Sequence, residues 1–222
     1  MRLSREGWQV NHKRILRIMQ EESLLCHLKK RFVIATTNSR HRFPVYPNVL
    51  AGVVLHAPDQ AWVADLTSIR LRSAFVYLAC ILDAFSRRCV GWHLSREMTT
   101  QLTLTALTQA IAERGPQPGL IHHSDRGVQY ASYEYVEQLQ QIGAQISMSS
   151  VSNPYDNAKA ESFFKTLKQE EVYLKEYDSF ADAEANLAVF IEQVSNRKRL
   201  HSSLGYVPPV EFEATYILVP ES

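Results

Sequence analysis

Cysteine, long apolar runs and net charge are all scarce in this sequence of 222 residues. Its three cysteines, Cys26, Cys80 and Cys89, are too few and odd in number for a disulfide framework, so we expect Cys80 and Cys89 to be buried free thiols. No apolar run approaches the roughly 18–20 residues of a transmembrane helix, and residues 1–6 are not followed by the apolar segment of a secretory signal. The expected compartment is therefore the cytoplasm, with no membrane partner.

Charge is nearly balanced overall but unevenly distributed along the chain. The net charge of +1 argues against a generally polycationic protein. Residues 1–45 nevertheless contain 10 Lys/Arg and 3 Asp/Glu, whereas the remainder contains 14 and 20. This distribution is typical of a basic arm that meets a polyanion and an acidic body that holds cations, although a solvated basic linker has the same composition.

The basic arm contains one clear helical pattern. Residues 10–19 predict a helix with Asn11 as its N-cap and an apolar stripe at helical spacing. Its polar face includes Lys13, Arg14 and Arg17, which we expect to contact DNA if this is the recognition helix of a helix-turn-helix. An ordinary basic surface helix is the alternative that the pattern leaves open.

Composition divides the chain into three predicted parts. Residues 1–35 form a partial helix-turn-helix-like DNA-binding segment. Residues 36–58 form a linker, because they contain three prolines and little periodicity. Residues 59–215 form the folded core, with a C-terminal helix and tail.

The core predicts an α/β fold. Three apolar runs, 61–71, 74–83 and 88–94, are separated by short breaks and indicate an antiparallel meander. Helices and strands then alternate: a helix over 100–114, a strand over 120–123, a helix over 132–142, a strand over 145–149, a helix containing Glu161 and a helix over 179–198. This order predicts a mixed five-stranded sheet, three antiparallel strands and then two parallel ones, flanked by helices. A small helical N-terminal remnant precedes it.

Three carboxylates are the candidate site. Asp125 follows an apolar strand, Glu161 lies on a helix that also carries Lys165 and Lys168, and Asp65 lies inside the first strand, where a charge is costly without a partner. Carboxylates from strand ends and a helix are suitable ligands for hard divalent cations. Each also has an ordinary interpretation: a turn aspartate, a surface Glu–Lys pair and a solvent-facing strand residue.

Six segments together resemble the DDE transposases of bacterial insertion sequences, of the second-reading-frame type. These segments are residues 62–67, 123–130, 147–149, 153–158, 161–168 and 199–206. That family belongs to the retroviral-integrase superfamily and has an RNase H-like integrase catalytic core. Residues 7–14 are similar to the end of the family's helix-turn-helix, so the resemblance covers nearly the whole chain.

The resemblance implies a function and a cofactor. Asp65, Asp125 and Glu161 match the catalytic triad, which would hold two Mg²⁺ ions, with Mn²⁺ as a substitute, for DNA strand cleavage and strand transfer during transposition. Lys165 and Lys168 would contact phosphates near the cut. The implied partners are double-stranded DNA at the element ends and at the target, further copies of this chain on that DNA, and the product of an upstream reading frame, all in a bacterial cytoplasm.

Two questions stay open at this stage. Because the sequence begins inside the expected helix-turn-helix, the alternative function is a catalytically silent, N-terminally truncated DNA-binding remnant. Arg197 and Arg199 form a basic cluster that we expect to contact DNA, although a charged helix C-terminus favoured by the helix dipole has the same composition.

Overall fold

A five-stranded sheet forms the centre of the computed structural model, which describes residues 7, 10–24, 42–150 and 158–217. The strands are β1 Ala61–Arg70, β2 Phe75–Asp83, β3 Cys89–Ser95, β4 Ile121–Ser124 and β5 Gln145–Met148. Their order is β3-β2-β1-β4-β5, with antiparallel β1–β2 and β2–β3 pairs and parallel β1–β4 and β4–β5 pairs. The predicted mixed sheet is therefore confirmed. Cys26 and the motif at 153–157 lie outside the described residues.

Seven α-helices are present in the described part of the chain. They are α1 His12–Glu21, α2 Thr100–Arg114, α3 Val128–Ala131, α4 Tyr133–Gln141, α5 Ala158–Leu167, α6 Phe180–Ala188 and α7 Pro209–Ile217. Among these residues, no helix is both long and apolar enough to cross a membrane. The sequence analysis did not predict α3 or α7, and the predicted helix over 179–198 is α6 continued by a π-helical segment, Val189–Ser195.

Side chains alternate between the two faces of β1, as strand geometry requires. Ala61 and Val63 belong to an apolar cluster that also contains residues of α5 and α6. Trp62, Ala64 and Leu66 belong to a second cluster, which contains residues of α2 and α4. Because both faces are covered, β1 is buried along most of its length, as expected of the central strand of a mixed sheet. Its one acidic residue, Asp65, therefore lies on a largely buried strand.

The N-terminal helix α1 has the predicted cap. The Asn11 side chain accepts a hydrogen bond from the Lys13 amide at 2.9 Å, which satisfies one of the free amide groups of the first turn. None of the residues of α1 is buried within the described structure. Of the described residues that precede β1, Leu50 and Leu55 pack against the first cluster, and the Val49 amide donates to Ser147 Oγ at 3.0 Å.

Helix α7 is attached to the core by a buried ionic network. Glu213 is only 4% exposed and accepts hydrogen bonds from Ser86 Oγ at 2.7 Å, from Arg88 at 2.9 Å and from Arg114 at 2.9 Å. Arg114 also forms a two-pronged ion pair with Asp59. The network joins α7 to the β2–β3 turn, to the end of α2 and to Asp59, two residues before β1. It closes one end of the sheet, and no residue of the candidate triad takes part in it.

Candidate active site

Asp65 lies in the middle of β1, opposite Cys80 of β2. By strand alternation its side chain lies on the same face as Ala61 and Val63, which is the face covered by α5. The carboxylate is partly buried, and its Oδ1 accepts a hydrogen bond from the Leu66 amide at 2.8 Å. The structure therefore decides the orientation that the sequence left open.

Asp125 comes directly after β4. The parallel register pairs Val63 with His123, so two further steps along both strands reach Asp65 and Asp125. The Asp125 carboxylate accepts a hydrogen bond from the Gly127 amide at 2.8 Å, which is the local turn that its ordinary interpretation predicted. A Cβ atom at Gly127 would lie 2.9 Å from the same carboxylate oxygen, so the absence of a side chain there lets the turn form.

Glu161 occupies the first turn of α5 and lines a cleft of about 560 Å³ together with Asp65. Ala160, Phe164 and Leu167 hold α5 on the core, which leaves Glu161 and Lys165 exposed along the cleft. Lys168 lies one turn later and lines the same cleft. The predicted face of Glu161, Lys165 and Lys168 is thus present, and it is turned toward Asp65.

The other two carboxylates act electrostatically on Asp65. Burial, and next the negative charge of Asp125, raise the pKa of Asp65 to about 7, and the charge of Glu161 adds to this effect. The Leu66 amide and the positive charge of Lys168 act in the opposite direction. Asp125 does not line the cleft. Two observations indicate that it lies close to Asp65: the strand register, and the effect of its charge on the pKa of Asp65.

The side chains fit a hard divalent cation in their chemistry. Within the described ranges, no three His, Cys, Asp or Glu side chains are close enough together to form a ready metal site. The donor set nevertheless consists of carboxylate oxygens, which Mg²⁺ prefers, and their mutual repulsion is what a bound cation would relieve. The Tyr130 hydroxyl is a second indication that the site fits a bound cation. It is buried without a hydrogen-bond partner, and the charges of Asp65 and Asp125 contribute, after burial and Tyr135, to its raised pKa.

Two buried histidines lie on β4 just before Asp125. His122 Nε2 lies 3.0 Å from the Tyr135 hydroxyl, and the two nitrogens of His123 lie 2.8 and 3.0 Å from Ser147 Oγ and Ser149 Oγ. Burial, together with the neighbouring His123, lowers the pKa of His122 to about 3. The two rings fix β4 against α4 and β5, and they support Asp125 from within the core.

The remaining predicted DNA contacts are distributed over other surfaces. Lys13, Arg14 and Arg17 are exposed on α1, where Arg17 forms an ion pair with Glu21 at 3.6 Å. Arg199 forms an ion pair with Glu170. Arg197 is exposed and lines a different cleft, near Glu192. Of the predicted basic residues, only Lys165 and Lys168 line the cleft with Asp65 and Glu161.

Sequence analysis missed two residues that line this cleft, Gln169 and Tyr173. Both belong to or directly follow a π-helical turn, Lys168–Val172, that continues α5. In that turn the Tyr173 amide donates to the Lys168 carbonyl at 2.8 Å. Helical periodicity does not place such residues, since a π turn shifts the register of every side chain that follows it.

Comparisons with known proteins agree with this architecture. Two models of the integrase core domain match residues 56–154 and residues 142–209. The 31 kDa protein of insertion element IS600 from Shigella sonnei is 40% identical over 96% of this chain and 79% of its own length. The transposase for insertion sequence element IS904 from Lactococcus lactis is 38% identical over 95% of this chain and 83% of its own length.

Solved structures show the same fold at lower identity. A chain of the simian T-cell lymphotropic virus intasome, in complex with PP2A regulatory subunit B56 gamma, has a TM-score of 0.58 and 16% identity over 84% of this chain and 64% of its own. The HTLV-2 integrase catalytic core domain in complex with magnesium has a TM-score of 0.50 and 16% identity over 71% and 97%. The core therefore has the RNase H-like fold of retroviral integrase catalytic cores. Together with the sequence matches, this places the chain in the family of insertion-sequence transposases that contain an integrase core domain.

Proposed function

We propose that this transposase cuts DNA strands at the ends of an insertion sequence and joins them to target DNA, with Asp65, Asp125 and Glu161 as its catalytic carboxylates. One observation carries the proposal: Asp65 and Glu161 line one cleft with Lys165 and Lys168, and the β1–β4 register places Asp125 beside Asp65. An anionic cluster beside a row of cations suits a site that binds a metal on one side and a phosphate backbone on the other.

Asp65, Asp125 and Glu161 would hold two Mg²⁺ ions, and Mn²⁺ would substitute. Such ions lower the pKa of a water or of a 3′-hydroxyl and stabilise the leaving oxygen of an in-line displacement. The fold of the chain positions the three carboxylates. Asp65 and Asp125 are fixed by the sheet and by the Gly127 turn, whereas Glu161 is carried by a helix whose other face is buried.

Lys165 and Lys168 would bind the phosphates that flank the reacting bond. Both line the cleft on the same side as Glu161, so a strand lying along α5 would pass the carboxylates. Cations in this position would also offset the repulsion between the DNA and the carboxylates. No side chain has to become covalently attached to DNA, because the nucleophile is a water or a DNA hydroxyl.

We also propose that different segments of the chain have different roles. Residues 1–35 would contact DNA through Lys13, Arg14 and Arg17. Residues 36–58 would link this segment to the core, and residues 59–215 would catalyse strand cleavage and strand transfer. Arg197 and Arg199 would contact DNA outside the catalytic cleft, in agreement with their position away from it. Action on paired ends by several copies of the chain is part of the same proposal.

The test is a strand-cleavage assay on DNA that carries the element ends, with Mg²⁺ or Mn²⁺. We expect nicking at the 3′ ends and joining to a second DNA, both abolished by Asp125→Asn and by Glu161→Gln while DNA binding persists. Binding that weakens with salt, without any cleavage by the folded wild-type protein, would instead identify a catalytically silent DNA-binding protein.

A further inference from the structure

A second cavity, of about 350 Å³, opens beside the candidate active site. Lys168 and Tyr173 line both the cavity and the cleft that contains Asp65 and Glu161. The π-helical turn holds these two residues together through the hydrogen bond from the Tyr173 amide to the Lys168 carbonyl. The two spaces are therefore neighbours that share one wall, and a bound strand could occupy both.

The floor of this cavity is apolar and aromatic. Leu71 and Val172 are buried members of the first core cluster, and Phe75 and Tyr173 are partly exposed at the surface of the cavity. Flat apolar side chains at a polar surface are the platforms on which proteins stack nucleobases. A purely electrostatic DNA track would not need such a floor.

The rim of the cavity is cationic. Four basic side chains line it against one carboxylate, that of Glu176: Arg70, Arg72, Lys168 and Lys175. Arg72 forms an ion pair with Asp178 at 3.0 Å, in which both side chains are about two-thirds exposed, and Lys175 forms one with Glu171 at 2.9 Å. The exposed Arg72–Asp178 pair contributes little energy, so a phosphate can compete for Arg72, whereas the Glu171 partner of Lys175 is buried.

Arg70 is the least committed of these cations. It is the last residue of β1 and is exposed, and it makes no ion pair among the residues that the structure describes. It lies on the same strand as Asp65, five positions further along. A phosphate held by Arg70 would thus be fixed relative to the catalytic carboxylate by a single rigid element.

The size and chemistry of the cavity select its occupant. A volume of about 350 Å³ accommodates one nucleotide. The apolar floor suits a base, and the cationic rim suits its phosphate. We propose that this cavity binds one unpaired nucleotide of the DNA strand whose neighbouring phosphate lies at Asp65 and Glu161. This inference rests on the proposed function, because the active site supplies the strand.

The test measures binding without chemistry. Short DNA duplexes that end in one unpaired 3′ 2-aminopurine nucleotide, and duplexes of the same sequence that are fully paired, are titrated with the full chain in EDTA. We expect the wild-type protein to bind the unpaired form about tenfold more tightly, since stacking of a single base has an effect of this order. Quenching of the 2-aminopurine fluorescence should accompany binding.

Four variants make the result specific. Tyr173→Leu and Arg70→Gln should remove most of the preference for the unpaired form, whereas Tyr173→Phe should keep the preference because it keeps the ring. Arg70 does not line the catalytic cleft, so Arg70→Gln should leave binding of the paired duplex within about twofold. Arg96→Gln is the control, because it removes the same charge as Arg70→Gln at a position outside this cavity. Arg96 is exposed, and its guanidinium lies 5.0 Å from the centre of the Phe180 ring.

Two results would overturn the inference. One is a wild-type protein that binds both DNA forms equally; the other is an Arg70→Gln variant that loses affinity for both forms to the same extent, which would make the rim a general phosphate contact. Because Arg70 is exposed, its variant remains informative even if Tyr173→Leu fails to fold. Failure of the proposed function has a different signature, namely absence of metal-dependent cleavage, whatever the binding preference in EDTA.

Discussion

Asp65 of β1 and Asp125, which directly follows β4, lie at matching positions two residues beyond the last β1–β4 pair, Val63 and His123. Burial and the charge of Asp125 raise the pKa of Asp65 to about 7. The fold therefore places two carboxylates side by side at a cost, which is the arrangement of a functional site and not of a stable core.

Replacement of Asp65 by asparagine should stabilise the metal-free protein at pH 8. The folded pKa of about 7 lies above the ordinary value of 3.8, so stability from Asp65 is fully present below pH 3.8 and is lost as the pH rises through 7. Since Asp65 is partly exposed, we expect Asp65→Asn to raise the free energy of unfolding at pH 8 by about 2 kcal/mol, or the Tm by roughly 4–8 °C. Thermal unfolding at pH 4 and pH 8 measures the difference.

Mg²⁺ provides the control for that prediction. Addition of Mg²⁺ at pH 8 should raise the Tm of the wild-type protein, because a cation neutralises the repulsion, and should have little effect on Asp65→Asn. A variant that is less stable than the wild type at pH 8 would show that Asp65 is not held under repulsion.

Gly127→Ala should impair catalysis without impairing the fold. Gly127 has a φ of −65°, which alanine adopts without strain, but its added Cβ would lie 2.9 Å from the Asp125 carboxylate and displace it. We expect a loss of cleavage of about 100-fold, because displacement of a catalytic group by around 1 Å has this effect. Cleavage rates and Tm are measured together, and full activity at an unchanged Tm would contradict the role of the Gly127 turn.

Tyr130→Phe should separate stability from metal binding. The Tyr130 hydroxyl is buried without a partner, so its removal should not destabilise the protein and can stabilise it by about 1 kcal/mol. If the hydroxyl is satisfied in the loaded site, the variant should require a higher Mg²⁺ concentration for half-maximal cleavage. An unchanged Mg²⁺ dependence would assign Tyr130 to the core alone.

Glu213→Ala should destabilise the fold and leave the active site intact in the molecules that remain folded. The change leaves Arg88 and Arg114 without their buried partner, so we expect a loss of about 3 kcal/mol. Glu184→Ala, at an exposed position on α6, is the control for removal of a glutamate and should change stability by less than about 0.5 kcal/mol. Denaturant unfolding distinguishes the two, and equal effects would contradict the network.

The pH dependence of the Glu213 contribution has the opposite sign to that of Asp65. Burial alone would raise the pKa of Glu213, but hydrogen bonds from Ser86, Arg88 and Arg114 lower it below the ordinary value of 4.5. Its stabilising contribution is therefore present above pH 4.5 and is lost as the pH falls through the lower folded value. The wild type and Glu213→Ala should thus converge in stability on acidification.

Local patterns predicted the elements that have simple periodicity. The three strand runs, α2 and its end before Gly115, and the Asn11 cap were all predicted, because each depends on a run of neighbouring residues. The two π-helical segments and α7 were not predicted. A π turn has no sequence period of its own, and α7 depends on Glu213, whose partners lie about 100 residues or more away along the chain.

Local sequence patterns also predicted only part of the candidate site. Sequence alone left the orientation of Asp65 undecided, because Val63 and Thr67 do not mark a face, and only the packing of α5 onto β1 resolves it. The resemblance to transposases selected the three carboxylates from 23 acidic residues. Tyr173 remained undetected, since its position at the cleft follows from the π turn and not from any motif.

The most direct test of the central claim is metal rescue at Glu161. Cleavage of element-end DNA by Glu161→Cys is measured with Mg²⁺ and with Mn²⁺, because a thiolate is a poor ligand for Mg²⁺ and a better one for the softer ion. Our account predicts no cleavage with Mg²⁺ and recovery by at least about tenfold with Mn²⁺, while Glu161→Ala stays inactive with both ions. Cleavage by Glu161→Cys at the wild-type rate in Mg²⁺ would contradict the assignment of Glu161 as a metal ligand.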